Sequence, residues 1–278
     1  MTDPASDEVF SGVVNMETVR MAFILAELNG LIIVAGDVGN AYLNARSKEN
    51  CYIRAGPEFG PDLEGLWLLI IKALYGLKSS AARFHEHLSV ALRKLGFRPS
   101  KADPDFWIRD KGDHYDYIAR YVDDVIVFSK DPMEVMTELK KTYTMKDVGK
   151  PQYYLGGDIV TLDEAWDKED IHMAFSAQTY IFNNLPKLAK MCGLQDFKLQ
   201  NTPFSDSYHA EMDETPLVPP SGITLYQALL GSANWIITLG RFDIHYAINT
   251  LSRYSMAPRE GHMKAMHRVF GYLKYKQK

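Results

Sequence analysis

The sequence has few of the features that mark a secreted or membrane protein. Its two cysteines, Cys51 and Cys192, stand far apart and in no CxxC pair, which excludes a disulfide scaffold and a cysteine zinc site. The N-terminal segment MTDPASDEVF is acidic and lacks the apolar core of a secretory signal. The longest apolar run, residues 66–77, is too short to span a bilayer and contains Lys72. These absences predict a soluble intracellular protein.

An excess of one charge is also missing. The net charge is −4, so the overall charge gives no sign of nucleic-acid binding. Of the 278 residues, 46% are hydrophobic, which allows a proper core and more than one subdomain. Basic residues do gather towards the C-terminal end, where a solvated helix face explains them about as well as a site for a polyanion. They are Lys264, Arg268, Lys274, Lys276 and Lys278, with His262 and His267 among them.

The most informative stretch is residues 117–130, YIARYVDDVIVFSK, in which two apolar runs flank Asp123 and Asp124. The pattern predicts two short strands that meet at a tight turn with the acids at its tip. Aspartate is an ordinary turn residue, but two like charges at the edge of a core are costly unless a cation neutralises them. The pair therefore indicates half of a divalent-metal site.

A third carboxylate is expected from an earlier strand. Residues 16–29 have helical spacing and end at Gly30, and residues 31–35 form an apolar run that leads to Asp37. A buried strand that ends in an acid is a common place for chemistry. Alone, Asp37 is as well explained by a turn or cap, and only its partners make it a candidate ligand.

The rest of the chain changes from mixed to purely helical structure. Residues 51–66 predict a loop or hairpin, residues 66–73 a strand or short helix, and residues 152–161 a strand pair interrupted by Gly156 and Gly157. A polar, proline-rich linker is predicted at residues 198–222. The pattern as a whole predicts an α+β fold with an appended helical part. Helices are predicted at 80–96, 131–143, 176–192 with a kink at Pro186, 225–239, 243–254 and 259–276.

Three acids on adjacent strands would suit two Mg²⁺ ions, or Mn²⁺ in their place, because hard cations prefer oxygen ligands. Two such ions, about 3.5–4 Å apart, stabilise both the attacking and the leaving oxygen of an in-line phosphoryl displacement. The spacing of Asp37, Asp123 and Asp124 leaves open whether the reaction is nucleotidyl transfer or phosphodiester hydrolysis.

Seven segments in order make the chain resemble the reverse transcriptase of Ty1/copia-type LTR retrotransposons. They are DEVFSGVVNMETVR, DVGNAYLNA, KALYGLKSS, KADPDFWIR, YVDD, MKDVGKPQYYLGGDI, and GRFDIHYAINTLSRY continuing through HRVFGYLK. The resemblance implies a right-handed polymerase palm with partial fingers in residues 1–160. It further implies a thumb-like helical segment at 161–202, a linker at 203–222 and a helical connection segment at 223–278.

The resemblance also implies roles for single residues. Asp37, Asp123 and Asp124 match the catalytic, metal-binding triad of the family. Tyr42, five residues after Asp37, matches an aromatic gate that excludes a ribose 2′-hydroxyl, for which a core tyrosine is the alternative. Lys146 lies near the position where polymerases have a lysine that can protonate the pyrophosphate leaving group. The alternative is that Lys146 is an ordinary surface lysine.

Two more segments match substrate-binding parts of the family. Tyr75, Gly76 and Lys78 match the lining of the nucleotide and template pocket, and the helix start after them offers backbone N–H groups to a phosphate or is an ordinary helix start. Leu155 and Gly156 match the primer grip, where the backbone approaches the primer 3′ end. The helical segment from Gly222 would contact the template–primer backbone.

The resemblance implies dNTPs, an RNA or DNA template with primer, and polyprotein neighbours (integrase and ribonuclease H) as partners, with no membrane. It places the protein in cytoplasmic virus-like particles, with the nucleus as the alternative. The family's upstream fingers and its ribonuclease H domain have no counterpart in these 278 residues, and Ser79 stands where a proline is common. A silent fragment that only binds template–primer is therefore the first alternative, and a two-metal nuclease or nucleotide cyclase the second.

Overall fold

The computed structural model describes residues 9–161, 173–205 and 207–276. They divide into two compact units, Met1–Pro151 and Gln152–Lys278. Helices and antiparallel sheets occur together, which agrees with the predicted α+β class. Among the described residues no helix is both long enough and apolar enough to cross a bilayer.

The first unit is built on an antiparallel sheet covered by helices. Its elements in chain order are α1 (Met16–Leu28), β1 (Ile32–Val38), β2 (Tyr52–Arg54), β3 (Trp67–Leu69), α2 (Ser80–Lys94), β4 (Arg98–Pro99), β5 (Phe106–Asp110), β6 (Tyr115–Tyr121), β7 (Asp124–Ser129), α3 (Pro132–Lys140) and β8 (Met145–Gly149). The main sheet has the order β4-β5-β6-β7-β1-β8, while β2 and β3 form a separate hairpin. The strand alternative for residues 66–73 is thus the correct one.

Strand β7 runs through the centre of the core. Its residues Val125 and Val127 pack with Phe84 and Leu88 of α2 on one face of the sheet. The ring of Phe128 meets Phe23 of α1 edge-on, at 5.4 Å between ring centroids. Since both faces are covered, the strand reads as a continuous apolar run rather than as an alternating one. The four apolar residues after the acids, 125–128, are therefore core.

Helix α3 begins as the sequence indicates but ends earlier, at Lys140. The Asp131 carboxylate accepts a hydrogen bond from the Glu134 N–H at 3.2 Å, and Pro132 occupies the first turn. The Glu134 side chain does not complete a reciprocal cap, because it binds Arg109 and Lys111 instead.

The second unit contains a small sheet and four described helices. Its elements are β9 (Tyr153–Tyr154), β10 (Gly157–Thr161), β11 (Met173–Ser176), α4 (Gln178–Met191), α5 (Pro220–Thr238), α6 (His245–Ser252) and α7 (Glu260–Tyr275), and the sheet order is β11-β10-β9. Helix α5 begins at Pro220 rather than at residue 225, since proline suits the first turn of a helix. The segment before it is bound to the start of α7, where the Val218 N–H donates to the Pro258 carbonyl at 3.0 Å.

A buried ion pair holds the first unit together behind the acidic turn. Arg120 of β6 is 1% exposed, and its Nε donates to Oδ1 of Asp105 at 3.0 Å. Its Nη1 donates at 3.0 Å to two acceptors on α2, the His85 carbonyl and the Ser89 hydroxyl. The backbone adds a bond from the Val14 N–H to the Arg120 carbonyl, at 3.0 Å. One guanidinium thus joins β6, α2 and the loop before β5.

Removing the carboxylate of this pair is predicted to destabilise the first unit. We expect Asp105→Asn to lower the free energy of unfolding by about 3–5 kcal/mol, because it leaves the Arg120 charge buried without its partner. Glu138→Gln is the matched control, since it removes a carboxylate from the solvent-exposed pair with Lys141 and should cost below about 1 kcal/mol. Urea unfolding measures both, and equal losses would contradict the assignment.

The same pair gives stability a defined dependence on pH. Burial alone would raise the pKa of Asp105, but the hydrogen bond from His85 and the Arg120 charge outweigh it and hold this pKa below its ordinary value of 3.8. The contribution is therefore complete above about pH 4 and is lost as the pH falls through the lowered pKa. We expect the Asp105→Asn variant to lack this part of the acid transition.

Candidate active site

The three candidate carboxylates lie at the same end of neighbouring strands. Asp37 of β1 is the direct cross-strand partner of Asp124, the first residue of β7. Asp123 lies in the turn between β6 and β7, and its carbonyl accepts the Val38 N–H at 2.9 Å. The structure therefore brings together the two acids of the turn and the acid of the earlier strand, as the sequence pattern predicts.

The electrostatics of this group are those of crowded like charges. The pKa of Asp124 is raised to about 6, because the surrounding protein removes water from it and because Asp123 and Asp37 add negative charge. Burial raises the pKa of Asp37 as well, and the charge of Asp123 adds to this shift. A proton or a cation at this position would relieve the repulsion.

Lys146 is the basic neighbour of the acids. It lies on β8 directly across from Asp37, so that β1 has an acid on one side and a lysine on the other. The lysine opposes the rise in the pKa of Asp37. Its side chain passes over Gly39, where an added Cβ would lie 3.0 Å from Cε of Lys146. Glycine at this position leaves room for the lysine beside the carboxylates.

The donor set fits a hard divalent cation, since three carboxylates supply oxygen ligands and an uncompensated negative charge. Within residues 9–161, 173–205 and 207–276, however, no three His, Cys, Asp or Glu side chains stand together as a ready metal-binding cluster. The backbone thus places the acids as neighbours, while their side chains do not converge on one point.

The turn that carries the acids is strained. Val122 has a φ of +55°, in the left-handed region that a β-branched residue rarely adopts. A positive φ at the first central residue of a two-residue hairpin turn is the sign of a type II′ turn, which normally has glycine there. The backbone therefore holds Val122, the residue before Asp123, in a conformation that costs free energy.

Tyr42 lies beside the acids on a short 3-10 turn, Ala41–Asn44, that follows β1. Its ring centroid is 4.4 Å from that of Tyr75 and 6.3 Å from that of Phe84. Burial raises the pKa of the Tyr42 hydroxyl, and the Asp123 charge contributes to the shift. The tyrosine is thus packed against the core on one side and faces the carboxylates on another.

The segment before α2 contains Tyr75, Gly76 and Lys78 and ends at a helix start whose first amide is already bonded. Gly76 has a φ of +98°, which requires glycine, and Tyr75 is exposed. The Ser79 N–H is not free for a phosphate, because it donates to the Glu49 carboxylate at 2.8 Å and the Ser79 hydroxyl does so at 2.6 Å. These bonds, with a contribution from Lys78, hold the pKa of Glu49 below its ordinary value. Of the two interpretations of this helix start, these bonds therefore favour an ordinary one at Ser79.

Leu155 and Gly156 belong to the second unit, where they form the turn between β9 and β10. Their φ angles are +48° and +85°, the signs of a type I′ hairpin turn. An added Cβ on Gly156 would lie 2.8 Å from Cζ2 of Trp235 in α5. Sequence reasoning missed both Trp235 and Glu49, because they lie far along the chain from the groups they touch.

The described basic residues near the C-terminal end do not form one continuous charged face, and Lys278 lies outside the described residues. His262 is 2% exposed, and its ring nitrogens bond the Arg259 N–H and the Ala210 carbonyl at 3.0 and 2.9 Å. Burial lowers the pKa of His267, whose ring lies against Phe197. His262 is therefore buried and His267 half-buried, while Lys264 and Lys276 are exposed.

Comparison with known proteins shows what the chain is similar to. A family model described as reverse transcriptase (RNA-dependent DNA polymerase) matches residues 2–174. A transposon Ty5-1 protein of Saccharomyces cerevisiae is 33% identical over 244 residues, which cover 85% of this chain and 74% of that protein. The retrovirus-related Pol polyprotein from transposon RE1 of Arabidopsis thaliana is 27% identical over 271 residues. The transposon Ty1-DR1 Gag-Pol polyprotein of Saccharomyces cerevisiae is 28% identical over 257 residues.

The alignments cover most of this chain but only a small part of the polyproteins. The alignments cover 96% and 89% of this chain but only 18% of the RE1 polyprotein and 14% of the Ty1-DR1 polyprotein. The chain therefore corresponds to one region of much longer polyproteins.

The strain at Val122 gives a prediction for stability. We expect Val122→Gly to raise the free energy of unfolding by up to about 1 kcal/mol, because relief of the left-handed conformation exceeds the added freedom of the unfolded chain. Val127→Gly is the control, since Val127 is fully buried in the middle of β7 and its loss should cost at least about 2 kcal/mol. Urea unfolding compares the two, and a marked loss in Val122→Gly would refute the strain.

Proposed function

Since the chain belongs to the reverse transcriptase family of Ty1/copia-type retrotransposons, we propose that it is an RNA-directed DNA polymerase that extends a primer with dNTPs. The template would be RNA or DNA, and the reaction a two-metal nucleotidyl transfer. The observation that carries the proposal is the placement of Asp37 opposite Asp124, with Asp123 in the adjoining turn and Lys146 on the other side of Asp37.

The carboxylates have the role of holding cations. Asp37 and Asp123 would bind both ions, and Asp124 would complete the negative charge. Bound Mg²⁺ or Mn²⁺ supplies Lewis-acid stabilisation of the attacking and leaving oxygens of the phosphoryl displacement. The raised pKa of Asp124 supports this role. It reflects repulsion between the carboxylates, and a bound cation would relieve that repulsion.

Two neighbouring side chains would act on the nucleotide. The Tyr42 ring, supported by Phe84 and Tyr75, would exclude a ribose 2′-hydroxyl and so select deoxynucleotides. Lys146 lies across from Asp37 on β8 and would act as the general acid that protonates the departing pyrophosphate. Tyr75, Gly76 and Lys78 would line the pocket for the nucleotide and template.

The second unit would bind the template–primer duplex. The Leu155–Gly156 turn presents backbone without a bulky side chain at Gly156 and would hold the primer 3′ end. The exposed lysines of α7 and its C-terminal end, Lys264 and Lys276, would contact phosphates and make binding dependent on salt. In a polyprotein of the kind seen among the relatives, integrase and ribonuclease H would be its neighbours, in a cytoplasmic particle.

Primer extension tests the catalytic proposal directly. On poly(rA)/oligo(dT) with Mg²⁺ we expect extension, and we expect Asp123→Asn to lower its rate by about three orders of magnitude or more, because the loss of metal-borne stabilisation is worth several kcal/mol. Asp113→Asn is the matched control, since Asp113 is an exposed acid that binds Lys130.

The outcomes separate the proposal from its alternatives. A silent wild type that still binds the duplex in a salt-dependent manner would favour the binding-only fragment. Released mononucleotides or a cyclic product would favour a nuclease or cyclase instead. Extension that survives in Asp123→Asn would refute the assignment of the turn as the metal site.

Sugar selection tests the role of Tyr42. We expect Tyr42→Val to raise incorporation of ribonucleotides relative to deoxynucleotides about 10- to 100-fold, because a steric contact of this kind is worth about 1–3 kcal/mol. Tyr42→Phe keeps the ring and should keep the selectivity. Single-nucleotide incorporation with rUTP and dTTP measures the ratio, and an unchanged ratio in Tyr42→Val would exclude Tyr42 as the gate.

A further inference from the structure

The turn proposed to hold the primer is strained at its first residue. Leu155 has a φ of +48°, where a side chain with a Cβ is disfavoured. Gly156 follows at +85°, which glycine tolerates. The hairpin around the turn is short, because β9 contains only Tyr153 and Tyr154. A two-residue strand gives little support, so contacts from outside the hairpin must maintain the turn.

The side of the turn at Gly156 is closed by an indole ring. A Cβ built on Gly156 would lie 2.8 Å from Cζ2 of Trp235, 3.4 Å from Cε2 and 3.5 Å from Nε1. Contacts below 3.0 Å do not occur for real Cβ atoms, so the ring edge occupies the space that any side chain at position 156 would need. The absence of a side chain there thus allows a close packing of backbone against Trp235.

Trp235 is itself well fixed. It lies on α5, where its neighbours Ala233 and Ile236 are fully buried. Its ring meets that of Tyr180 on α4 at 6.5 Å, with an angle of 64° between the planes. The side chain is 39% exposed, so it lies at the surface beside the turn rather than in the core. A residue that only filled the core would have no reason to be placed there.

We propose that Trp235 is a positioning residue that holds the Leu155–Gly156 turn in the conformation needed to bind the primer 3′ end. The proposal rests on the proposed function for its consequence in catalysis. The contact between Trp235 and the turn can be tested without catalysis. Loss of the ring would release the strained backbone, weaken binding of the primer end, and leave the pocket for the nucleotide unchanged.

The first experiment compares Trp235→Ala, Trp235→Phe and wild type in the full chain. We expect Trp235→Ala to speed hydrogen exchange of the amides of residues 155–157 about tenfold, the range expected for loss of aromatic packing, with the Tyr121–Asp124 turn unaffected. The same variant should raise the Kd for a poly(rA)/oligo(dT) duplex by a similar factor, with the KM for dTTP unchanged. Trp235→Phe should keep both the exchange and the Kd close to those of wild type.

Tyr246→Ala is the matched control. Tyr246 is an exposed aromatic residue of the same unit whose ring lies near Phe204, and its removal should change neither the exchange of the turn nor the Kd. Circular dichroism and thermal unfolding verify that α5 remains folded in each variant. An equal effect of Tyr246→Ala would overturn the specific role of Trp235.

A second experiment uses the close contact itself. The positive φ at position 156 disfavours Gly156→Ala in every background. The added methyl group collides with the indole only when Trp235 is present. We therefore expect Gly156→Ala to weaken duplex binding several-fold more in wild type than in Trp235→Ala. Equal effects in both backgrounds would mean that the two residues do not act on each other.

The results distinguish failure of this proposal from failure of the proposed function. Exchange at residues 155–157 that does not respond to Trp235→Ala overturns the positioning role, whatever the duplex data show. If exchange responds as expected but wild type binds no duplex, the contact with the turn stands and the role in primer binding is refuted.

Discussion

The ion pair between Arg120 and Asp105 is the interaction on which the acidic turn depends. Arg120 lies on β6, two residues before the turn that begins at Val122. Its charge is almost completely buried. Desolvation lowers the pKa of the guanidinium, which still stays charged because arginine begins so far above neutral pH. A charge in this position can exist only with Asp105 and α2 arranged around it, so the pair fixes the strand that delivers the turn. Behind the turn, opposite charges neutralise each other, while in front of it three like charges do not.

This contrast explains how the same sheet is stable and yet keeps uncompensated negative charge at one end. The compensated pair lies under α2, where water has no access and a missing partner would be costly. The uncompensated acids lie at the open end of β1 and β7, where Lys146 gives only partial relief. The first unit therefore has crowded negative charge at one end of the sheet, and the strained residue Val122 lies in the same turn.

Much of this arrangement could be predicted from local sequence. The apolar runs on both sides of Asp123 and Asp124 predict the hairpin, and the run before Asp37 predicts the neighbouring strand. Both predictions depend on hydrophobic periodicity and turn residues, which are local features of the sequence. Helices α1, α2 and α4–α7 followed from spacing in the same way. The register of β1 between β7 and β8 depends on contacts across the sheet, as does the pairing of Arg120 with Asp105. Glu49 at Ser79 and Trp235 at Gly156 are likewise contacts between distant parts of the chain, which no local pattern contains.

The position of β1 between β7 and β8 has a consequence for the kinds of sequence change that this chain can accept. Successive residues of a strand point to opposite faces, so a one-residue insertion or deletion within β1 would exchange Asp37 for Gly36 or Val38 at the position opposite Asp124. The same change in the loop that carries the β2–β3 hairpin would leave the register of the main sheet untouched. Substitutions and length changes are thus under different constraints here: the strands tolerate replacement of apolar residues by one another but no change in length, whereas the long loop can vary in length while the three acids stay in place.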